Sequence, residues 1–401
     1  MNSVVRQMWE QNTDVVMVDT GNSYEGLCEY VGGKYISYTD EHPITMNPFA
    51  IKREELNIEK IGFLKNLVML IWKGTQGEVT KTEDRLIEQV ITEYFDEYFM
   101  KKQIENLSFN TFYEYSTVRI PQIIKENNLA GIDLASYNYL LKDFYKGGSH
   151  ELTLNENLDT KLFDETFIVF EIDSIKDDPL LFPLVTLIIM DVFIQKMRIK
   201  KNRKVLVIEE AWKAIASPMM AEYIKYLYKT ARKFWASVGV VTQEIQDIVG
   251  SPIVKEAIIN NSDVVMLLDQ SKFRERFDEI KAILGLTDVD CKKIFTINRL
   301  ENKEGRSFFR EVFIRRGSVG DVFGVEEPHE CYMTYTTERA EKEALKLYKK
   351  ELQCDHQHAI EAYCRDWELS GIIKSLPFAQ KVNQTGHVLN LKPKRKFDEY
   401  M

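Results

Sequence analysis

The sequence of 401 residues lacks a long apolar run, a secretory leader pattern and an even set of cysteines. No stretch of about 18 consecutive apolar residues occurs, which excludes a membrane-spanning helix; the nearest run, 180–194, is broken by Pro183 and Asp191. The opening residues MNSVVRQMWEQ do not place basic residues before an apolar stretch, so we expect no secretory signal there. The five cysteines are scattered, which favours a reducing, cytoplasmic compartment over a disulfide framework.

The composition is that of a globular, acidic protein. Apolar residues make up 44% of the chain, which excludes a disordered or low-complexity protein. The net charge is −9, from 53 basic and 62 acidic residues, so the chain as a whole does not attract nucleic acid, although a local basic patch stays open. The length predicts two to three domains at about 150 residues each.

Short apolar runs that end in polar residues predict a buried parallel sheet flanked by helices. Two later segments, 307–315 and 320–325, alternate in polarity and predict antiparallel edge strands. The apolar runs are 14–19, 166–172, 205–208, 238–241 and 264–268, with a shorter strand at 34–38.

Apolar residues spaced near 3.6 predict helices over 56–144 and again from Glu338. The sequence therefore predicts an α/β fold with an inserted all-α subdomain and a helical C-terminal extension. We divide the chain into a first part of the core (1–52), the all-α insertion (53–162), the rest of the core (163–335) and the extension (336–401), which ends in a basic tail.

The strongest chemical signal is the segment 204–212, KVLVIEEAW, an apolar strand that ends in two acids. It resembles the Walker B element of phosphate-loop NTPases. There the first acid, here Glu209, positions the metal on the nucleotide phosphates, and the second, here Glu210, orients the attacking water. Glu209 departs from the usual Asp. The alternative is that both acids cap the next helix, whose N-terminus favours negative charge.

Two further strand ends carry polar side chains. Gln243 ends the run VGVVTQ, and a glutamine there can hydrogen-bond a γ-phosphate or a lytic water. Adjacent parallel strands would deliver Gln243 and the acidic pair to one crevice. Asp19 and Thr20 end the first strand and could support nucleotide binding at the same crevice. An ordinary polar loop residue is the alternative for Gln243, and a loop-stabilising role for Asp19.

These segments together resemble the TraG-type conjugation ATPases, the large ATPases of type IV secretion systems. The segments that carry the resemblance are VVMVDTGNSYEGLCEYVGGKYI, ITMNPF, FIVFEID, VLVIEEAW and TARKFWASVGVVTQEIQDI, in that order, and it covers nearly all of residues 1 to 335. The resemblance implies a RecA-like P-loop NTPase core with ATP and Mg²⁺ as cofactors, the Mg²⁺ held by Glu209 through water.

The resemblance also implies a setting. It implies a hexamer at the cytoplasmic face of the inner membrane, peripherally attached, with other type IV secretion components as partners, including the coupling ATPase and inner-membrane channel proteins. Contact with DNA is left open. Arg232 matches a basic position that would contact a neighbouring subunit's phosphates; Arg274 and Arg276 are rival candidates, and a solvated helix face is the alternative for all three.

One departure from the family concerns the phosphate loop. No G-x-x-x-x-G-K-[ST] occurs in these 401 residues, so the backbone nest, the lysine and the hydroxyl that clamp phosphates are lacking. In the family that loop directly precedes the helix matched by 2–10. We therefore expect this chain to hydrolyse ATP poorly, as a truncated form or fragment. The alternatives are a non-catalytic assembly or docking component and a hexameric DNA translocase of the same fold.

Two C-terminal features carry weaker signals. Cys354 and His358 lie four residues apart and could share a zinc ion on a helix, but the spacing matches no standard zinc pattern. The basic tail 392–396 could touch anionic lipid or nucleic acid, although a solvated tail is the simpler interpretation.

Overall fold

A computed structural model describes residues 1–102, 107–157, 160–210, 218–242, 258–299 and 309–391. The chain forms two compact units. The parallel-sheet unit comprises residues 12–21 and 34–260, and the antiparallel-sheet unit comprises residues 1–11, 22–33 and 261–401. The division by sequence into 1–52, 53–162, 163–335 and 336–401 stays a prediction.

The described residues form strands and helices that we number in chain order. The strands are β1 (Thr13–Asp19), β2 (Lys34–Ser37), β3 (Phe167–Glu171), β4 (Arg203–Ile208), β5 (Ala236–Val240), β6 (Val264–Leu267), β7 (Phe309–Arg316) and β8 (Val319–Glu326). The helices are α1 (Asn2–Glu10), α2 (Glu25–Tyr30), α3 (Ile58–Lys73), α4 (Lys81–Phe95), α5 (Phe109–Glu126), α6 (Leu134–Leu141), α7 (Glu151–Asn155), α8 (Leu181–Ile199), α9 (Pro218–Thr230), α10 (Phe277–Leu284), α11 (Asp288–Ile294), α12 (His329–Tyr335), α13 (Arg339–Leu352), α14 (His356–Ser370) and α15 (Ser375–Thr385).

The parallel-sheet unit is built on five strands in the order β2-β3-β1-β4-β5, every neighbouring pair parallel. Every residue of β1 and β3 is buried, as expected for strands covered on both faces. Between β2 and β3 the described residues contain helices and no strand. The α/β fold predicted from the sequence is confirmed.

The ITMNPF segment joins the sheet to these helices. Phe49 is fully buried and stacks on Phe112 of α5, with ring centroids 4.7 Å apart. The Asn47 side chain donates to the Leu107 carbonyl (2.8 Å) and accepts from the Phe49 N–H (3.1 Å), which holds the irregular backbone without a strand or helix. This motif is therefore a packing element that anchors the helical insertion.

Two buried ion pairs connect the long apolar helix α8 to its surroundings. Lys60 Nζ of α3 lies 2.8 Å from Asp191 Oδ2, and the side chains are 8% and 4% exposed. Gln195 donates to the same carboxylate oxygen at 2.7 Å. Lys196 Nζ lies 2.9 Å from Asp14 Oδ2 of β1 and also donates to the carbonyls of Phe163 and Glu165. Removing one member of such a pair leaves an uncompensated buried charge.

We predict that Lys60→Met lowers the free energy of unfolding by about 3 kcal/mol, because the buried Asp191 carboxylate loses its cation. Lys65→Met is the matched control, since Lys65 pairs with an Asp84 side chain that is 44% exposed, and such pairs contribute about 0–1 kcal/mol. Urea unfolding followed by far-ultraviolet circular dichroism measures both. Equal losses for the two variants would contradict the assignment.

The antiparallel-sheet unit contains the three strands β6-β7-β8, both pairs antiparallel. The prediction that the apolar run 264–268 is a further strand of the parallel sheet is wrong. In β6 exposed and half-buried residues alternate, Val264 and Met266 being 45% and 44% exposed. A short apolar run does not itself distinguish a strand buried on both faces from one covered on a single face.

The C-terminal helices of this unit pack around a second core that includes Tyr348, Tyr363 and Trp367. Helix α14 begins at His356, so Cys354 precedes it, and the expectation that Cys354 and His358 share a helix is wrong. Asp355 caps this helix by accepting from the His358 N–H at 2.9 Å. Serine, asparagine and aspartate favour such caps over helix interiors, which explains the boundary.

Two histidines of α14 have opposite electrostatic surroundings. His356 is largely buried, and its Nδ1 lies 3.3 Å from Glu29 of α2. Its Nε2 has no hydrogen-bond partner among the residues that the structure describes. Burial lowers the pKa of His356, although Glu29 opposes this and Lys349 reinforces it. His358 is exposed, and its hydrogen bond to Asp355 raises its pKa.

We predict opposite pH effects for the two substitutions. His356 has a higher pKa in the unfolded chain than in the folded protein, so its protonation favours unfolding as the pH falls from about 8 to 5. His358 has a higher pKa in the folded protein, so its protonation favours folding over the same range. His356→Gln should therefore flatten the loss of melting temperature on acidification, and His358→Gln should steepen it. Shifts of the same sign in the two variants would refute the assignment.

Candidate functional site

Acidic side chains lie along the carboxyl edge of the parallel sheet. β1 ends in Asp19 and β3 ends in Glu171, which are direct partners in the parallel register. β4 ends at Ile208 and is followed at once by Glu209 and Glu210. The strands β3, β1 and β4 are neighbours in the sheet. Because parallel strands end at the same edge, their terminal carboxylates lie along that edge.

β1 is a switch point in the strand order. The chain that leaves β1 crosses towards β2, at one end of the sheet. The chain segments that leave β3 and β4 cross towards β5, at the other end. In open α/β sheets such points create a crevice outside the carboxyl ends of the strands, where ligands bind. Asp19 and the β4 acids therefore flank the position that the topology favours for a ligand.

The two buried acids at this edge have different surroundings. Glu171 is 3% exposed. Its carboxylate accepts hydrogen bonds from the Asp173 N–H at 2.8 Å and from the Tyr35 hydroxyl at 3.3 Å, which hold the turn that follows β3. Asp19 is 1% exposed at the neighbouring strand end, and Thr20 beside it is half-buried. Sequence reasoning missed Glu171, although the acid that ends the apolar run FIVFE is the same signal that identified Asp19.

Glu209 and Glu210 are both half-buried, and their backbone is held by the sheet. The Glu209 N–H donates to the Val18 carbonyl at 3.0 Å, and the Val241 N–H donates to the Ile208 carbonyl at 2.9 Å. The ladder between β4 and its neighbours thus continues past the last strand residue. This places Glu209 directly beside the end of β1.

The backbone at Glu210 is in the left-handed region, with φ +48°. That conformation costs about 1–2 kcal/mol for a residue with a Cβ, and neither glycine nor asparagine relieves the cost here. Residues kept in such conformations cluster at active sites, where the strain fixes a side chain that the chemistry needs. The turn therefore favours a functional role for Glu210 over a role in packing.

The other candidates divide between those the structure places and those outside its described residues. β5 runs parallel beside β4, as predicted, so Val241 and Thr242 reach the same edge. Gln243 lies outside the described residues. Arg232 is exposed in the turn that precedes β5, where the Lys204 N–H donates to the Trp235 carbonyl, and so lies at the amino end of the sheet.

Arg232 therefore cannot reach Glu209 within one chain, because the length of β5, about 16 Å, separates the two edges. Arg274 and Arg276 are both exposed and belong to the other unit. A contact of any of the three with phosphates stays a prediction about a second subunit.

The acids at the carboxyl edge fit a hydrated Mg²⁺. Among the residues that the structure describes, no group of three or more His, Cys, Asp or Glu side chains is placed to hold a metal ion. Mg²⁺ dehydrates reluctantly and is commonly bound by one or two carboxylates with waters and substrate phosphates. Glu209, followed along the edge by Asp19 of the neighbouring strand, has the carboxylate chemistry that such a shell requires.

Comparisons with known proteins agree on one family. The TraG P-loop domain model matches residues 1–367. Protein TraC of Escherichia coli K12 is 22% identical over 295 residues, which cover 69% of this chain and 31% of TraC, so the chain spans about a third of that relative.

Solved structures show the same fold. VirB4 of Thermoanaerobacter pseudethanolicus has a TM-score of 0.59 at 19% identity, covering 82% of this chain and 85% of that chain. The plasmid coupling protein TrwB in complex with ADP and Mg²⁺ has a TM-score of 0.51 at 12% identity, covering 81% and 80%. With the family model matching most of its length, the chain belongs to the TraG P-loop domain family.

Proposed function

We propose that this chain is part of the ATPase motor of a conjugative type IV secretion apparatus, in which ATP hydrolysis drives assembly or substrate transfer. The observation that carries the proposal is the position of Glu209 and Glu210, beside Asp19 at a sheet switch point, in a chain of the TraG P-loop family. The TrwB structures with ADPNP and with ADP and Mg²⁺ support ATP and Mg²⁺ as the cofactors.

The residues at the carboxyl edge have separate roles in this proposal. Glu209 would hold a hydrated Mg²⁺, with Asp19 and Thr20 in support. When bound, this ion would supply positive charge against the phosphates. Glu210 orients a water for in-line attack on the γ-phosphorus and accepts its proton, while the bond to the bridging oxygen breaks and ADP leaves. Gln243 hydrogen-bonds the γ-phosphate.

The setting follows the family. We propose that the complete protein assembles as a hexamer, with Arg232, Arg274 or Arg276 contacting a neighbour's nucleotide. Other secretion components, including the coupling ATPase and inner-membrane channel proteins, would be its partners at the cytoplasmic face of the inner membrane. Among the described helices, none combines the length and apolar character needed to cross a membrane.

A second candidate is a non-catalytic assembly or docking component of the same apparatus. The observation that favours it is the lack of a G-x-x-x-x-G-K-[ST] sequence in these 401 residues. Such a component would keep the fold and its surfaces for association without turnover. Self-association in the absence of nucleotide, measured by analytical ultracentrifugation, supports this candidate; a monomer without nucleotide opposes it.

We predict that Glu210→Gln abolishes ATP turnover but preserves ATP binding, in a version of the protein that carries a phosphate loop. The amide keeps the size of the side chain but cannot accept the proton of the water, a loss of about 100-fold or more. Glu209→Gln should weaken Mg²⁺-dependent nucleotide binding as well. Exposed Glu156→Gln is the matched control. Near-normal phosphate release by Glu210→Gln would exclude the role given to this residue.

We predict that the 401-residue chain alone binds a fluorescent ATP analogue with Mg²⁺ only at about millimolar concentrations. The carboxyl edge supplies acids for the metal, but these residues contain no phosphate-loop sequence to clamp the phosphates. Fluorescence anisotropy measures the affinity. Micromolar binding that Glu209→Gln removes would mean that other backbone groups cradle the phosphates, and that the chain is competent as it stands.

A further inference from the structure

The antiparallel-sheet unit contains a groove that shares one residue, Arg274, with the candidates for contact with a neighbour's nucleotide. Its volume is about 510 Å³, and it is lined by the 3₁₀ segment that precedes α10, by α11 and by the turn after α11. Three of its side chains are cations, Arg274, Lys292 and Arg299, and Thr296 contributes a hydroxyl.

The groove is positive in an acidic chain. Its one carboxylate, Asp288, forms an ion pair with Lys281, and this hydrogen bond lowers the pKa of Asp288, so the acid is already compensated. Among the residues that the structure describes, none forms an ion pair with Arg274, Lys292 or Arg299. Lys292 and Arg299 each help to lower the pKa of a nearby acid, Asp288 and Asp269, without an ion pair. Three cations that form no ion pair with the described residues, in a protein of net charge −9, favour an anion at this groove.

One of these cations, Arg274, packs against an aromatic ring. The Arg274 guanidinium lies over the Phe295 ring, 4.8 Å from its centroid, and Phe295 packs edge-on against buried Phe277. This cation–π contact restrains the guanidinium, whose N–H groups are donors for an anion.

The turn that carries Arg299 is fixed by the residue before it. The Asn298 N–H donates to Glu311 Oε2 at 2.6 Å, and the Asn298 side chain accepts from the Glu311 N–H at 3.1 Å. Glu311 is a buried residue of β7, so the turn is tied to the sheet. The groove therefore has a packed Arg274 guanidinium and a backbone at Arg299 that is held through its neighbour Asn298.

We propose that this groove binds adjacent phosphate groups. Arginine forks match phosphate oxygens in two parallel hydrogen bonds, and the lysine and threonine add a point charge and a further donor. Two sources carry this chemistry, the polyphosphate of a nucleotide and the backbone of a nucleic acid strand. Every residue that the proposal uses belongs to the antiparallel-sheet unit, and only Arg274 is shared with the residues proposed for ATP hydrolysis.

Isothermal titration of the 401-residue chain with inorganic tripolyphosphate tests the proposal, in EDTA so that Mg²⁺-dependent binding is absent. We expect Arg274→Ala, Lys292→Ala and Arg299→Ala each to weaken binding by about fivefold or more, and added salt to weaken it further. Arg274→Lys keeps the positive charge but loses the two parallel N–H donors of the guanidinium, so it should also weaken binding. Lys272→Ala removes a neighbouring exposed charge outside the groove, and should stay within about twofold of the unsubstituted chain.

The source is identified by repeating the titration with ATP and with a short single-stranded oligonucleotide. Tighter binding of the oligonucleotide, with the same loss in the three variants, assigns the groove to nucleic acid; the converse assigns it to a nucleotide. Loss of binding in the three groove variants in EDTA, with no loss in exposed Glu156→Gln, separates this result from the Mg²⁺-dependent ATPase proposal. No binding of any probe, or equal losses in Lys272→Ala and Arg274→Ala, would overturn the proposal.

Discussion

The parallel pairing of β1 with β4 is the constraint on which the rest of the site depends. The register aligns Val18 with Ile208, and the Glu209 N–H continues the ladder by donating to the Val18 carbonyl. A slip of one residue would turn the apolar side chains of the strand to the opposite face and move the acids away from Asp19. Both strands are apolar between their ends, so the polar groups at the ends, such as Asp14 paired with Lys196, distinguish this register from a slipped one.

The two edges of the same sheet show how stability and chemistry are divided. At the amino edge Lys196 is buried against Asp14 and two carbonyls, which fixes the start of β1 on helix α8. At the carboxyl edge Glu210 is kept in a left-handed conformation that costs free energy. A sheet that is firmly held at one edge can support strain at the other, which is where the ligand chemistry is proposed.

Much of this arrangement could be predicted from the sequence, because apolar runs ending in acids carry both the strand and its polar tip. The positions of Asp19, Glu209 and Glu210 follow from that pattern. The pairing of the run 264–268 could not be predicted, since a short apolar run fits a parallel or an antiparallel sheet equally well. The buried Lys60–Asp191 pair was equally inaccessible, because periodicity places residues on a helix face but does not name their partner across 131 residues.

The measurement that tests the central claim most directly is affinity cleavage with Fe²⁺ in place of Mg²⁺, in the presence of nucleotide, on a version of the protein that carries a phosphate loop. With hydrogen peroxide and ascorbate added, bound Fe²⁺ reduces the peroxide to hydroxide and a hydroxyl radical, and ascorbate regenerates Fe²⁺. The radicals cut only nearby backbone, and mass spectrometry maps the cuts. The account predicts cleavage after β1, around Asp19, and after β4, around Glu209 and Glu210, both suppressed by excess Mg²⁺. Cleavage confined to other segments would show that the metal and nucleotide do not occupy the carboxyl edge of this sheet.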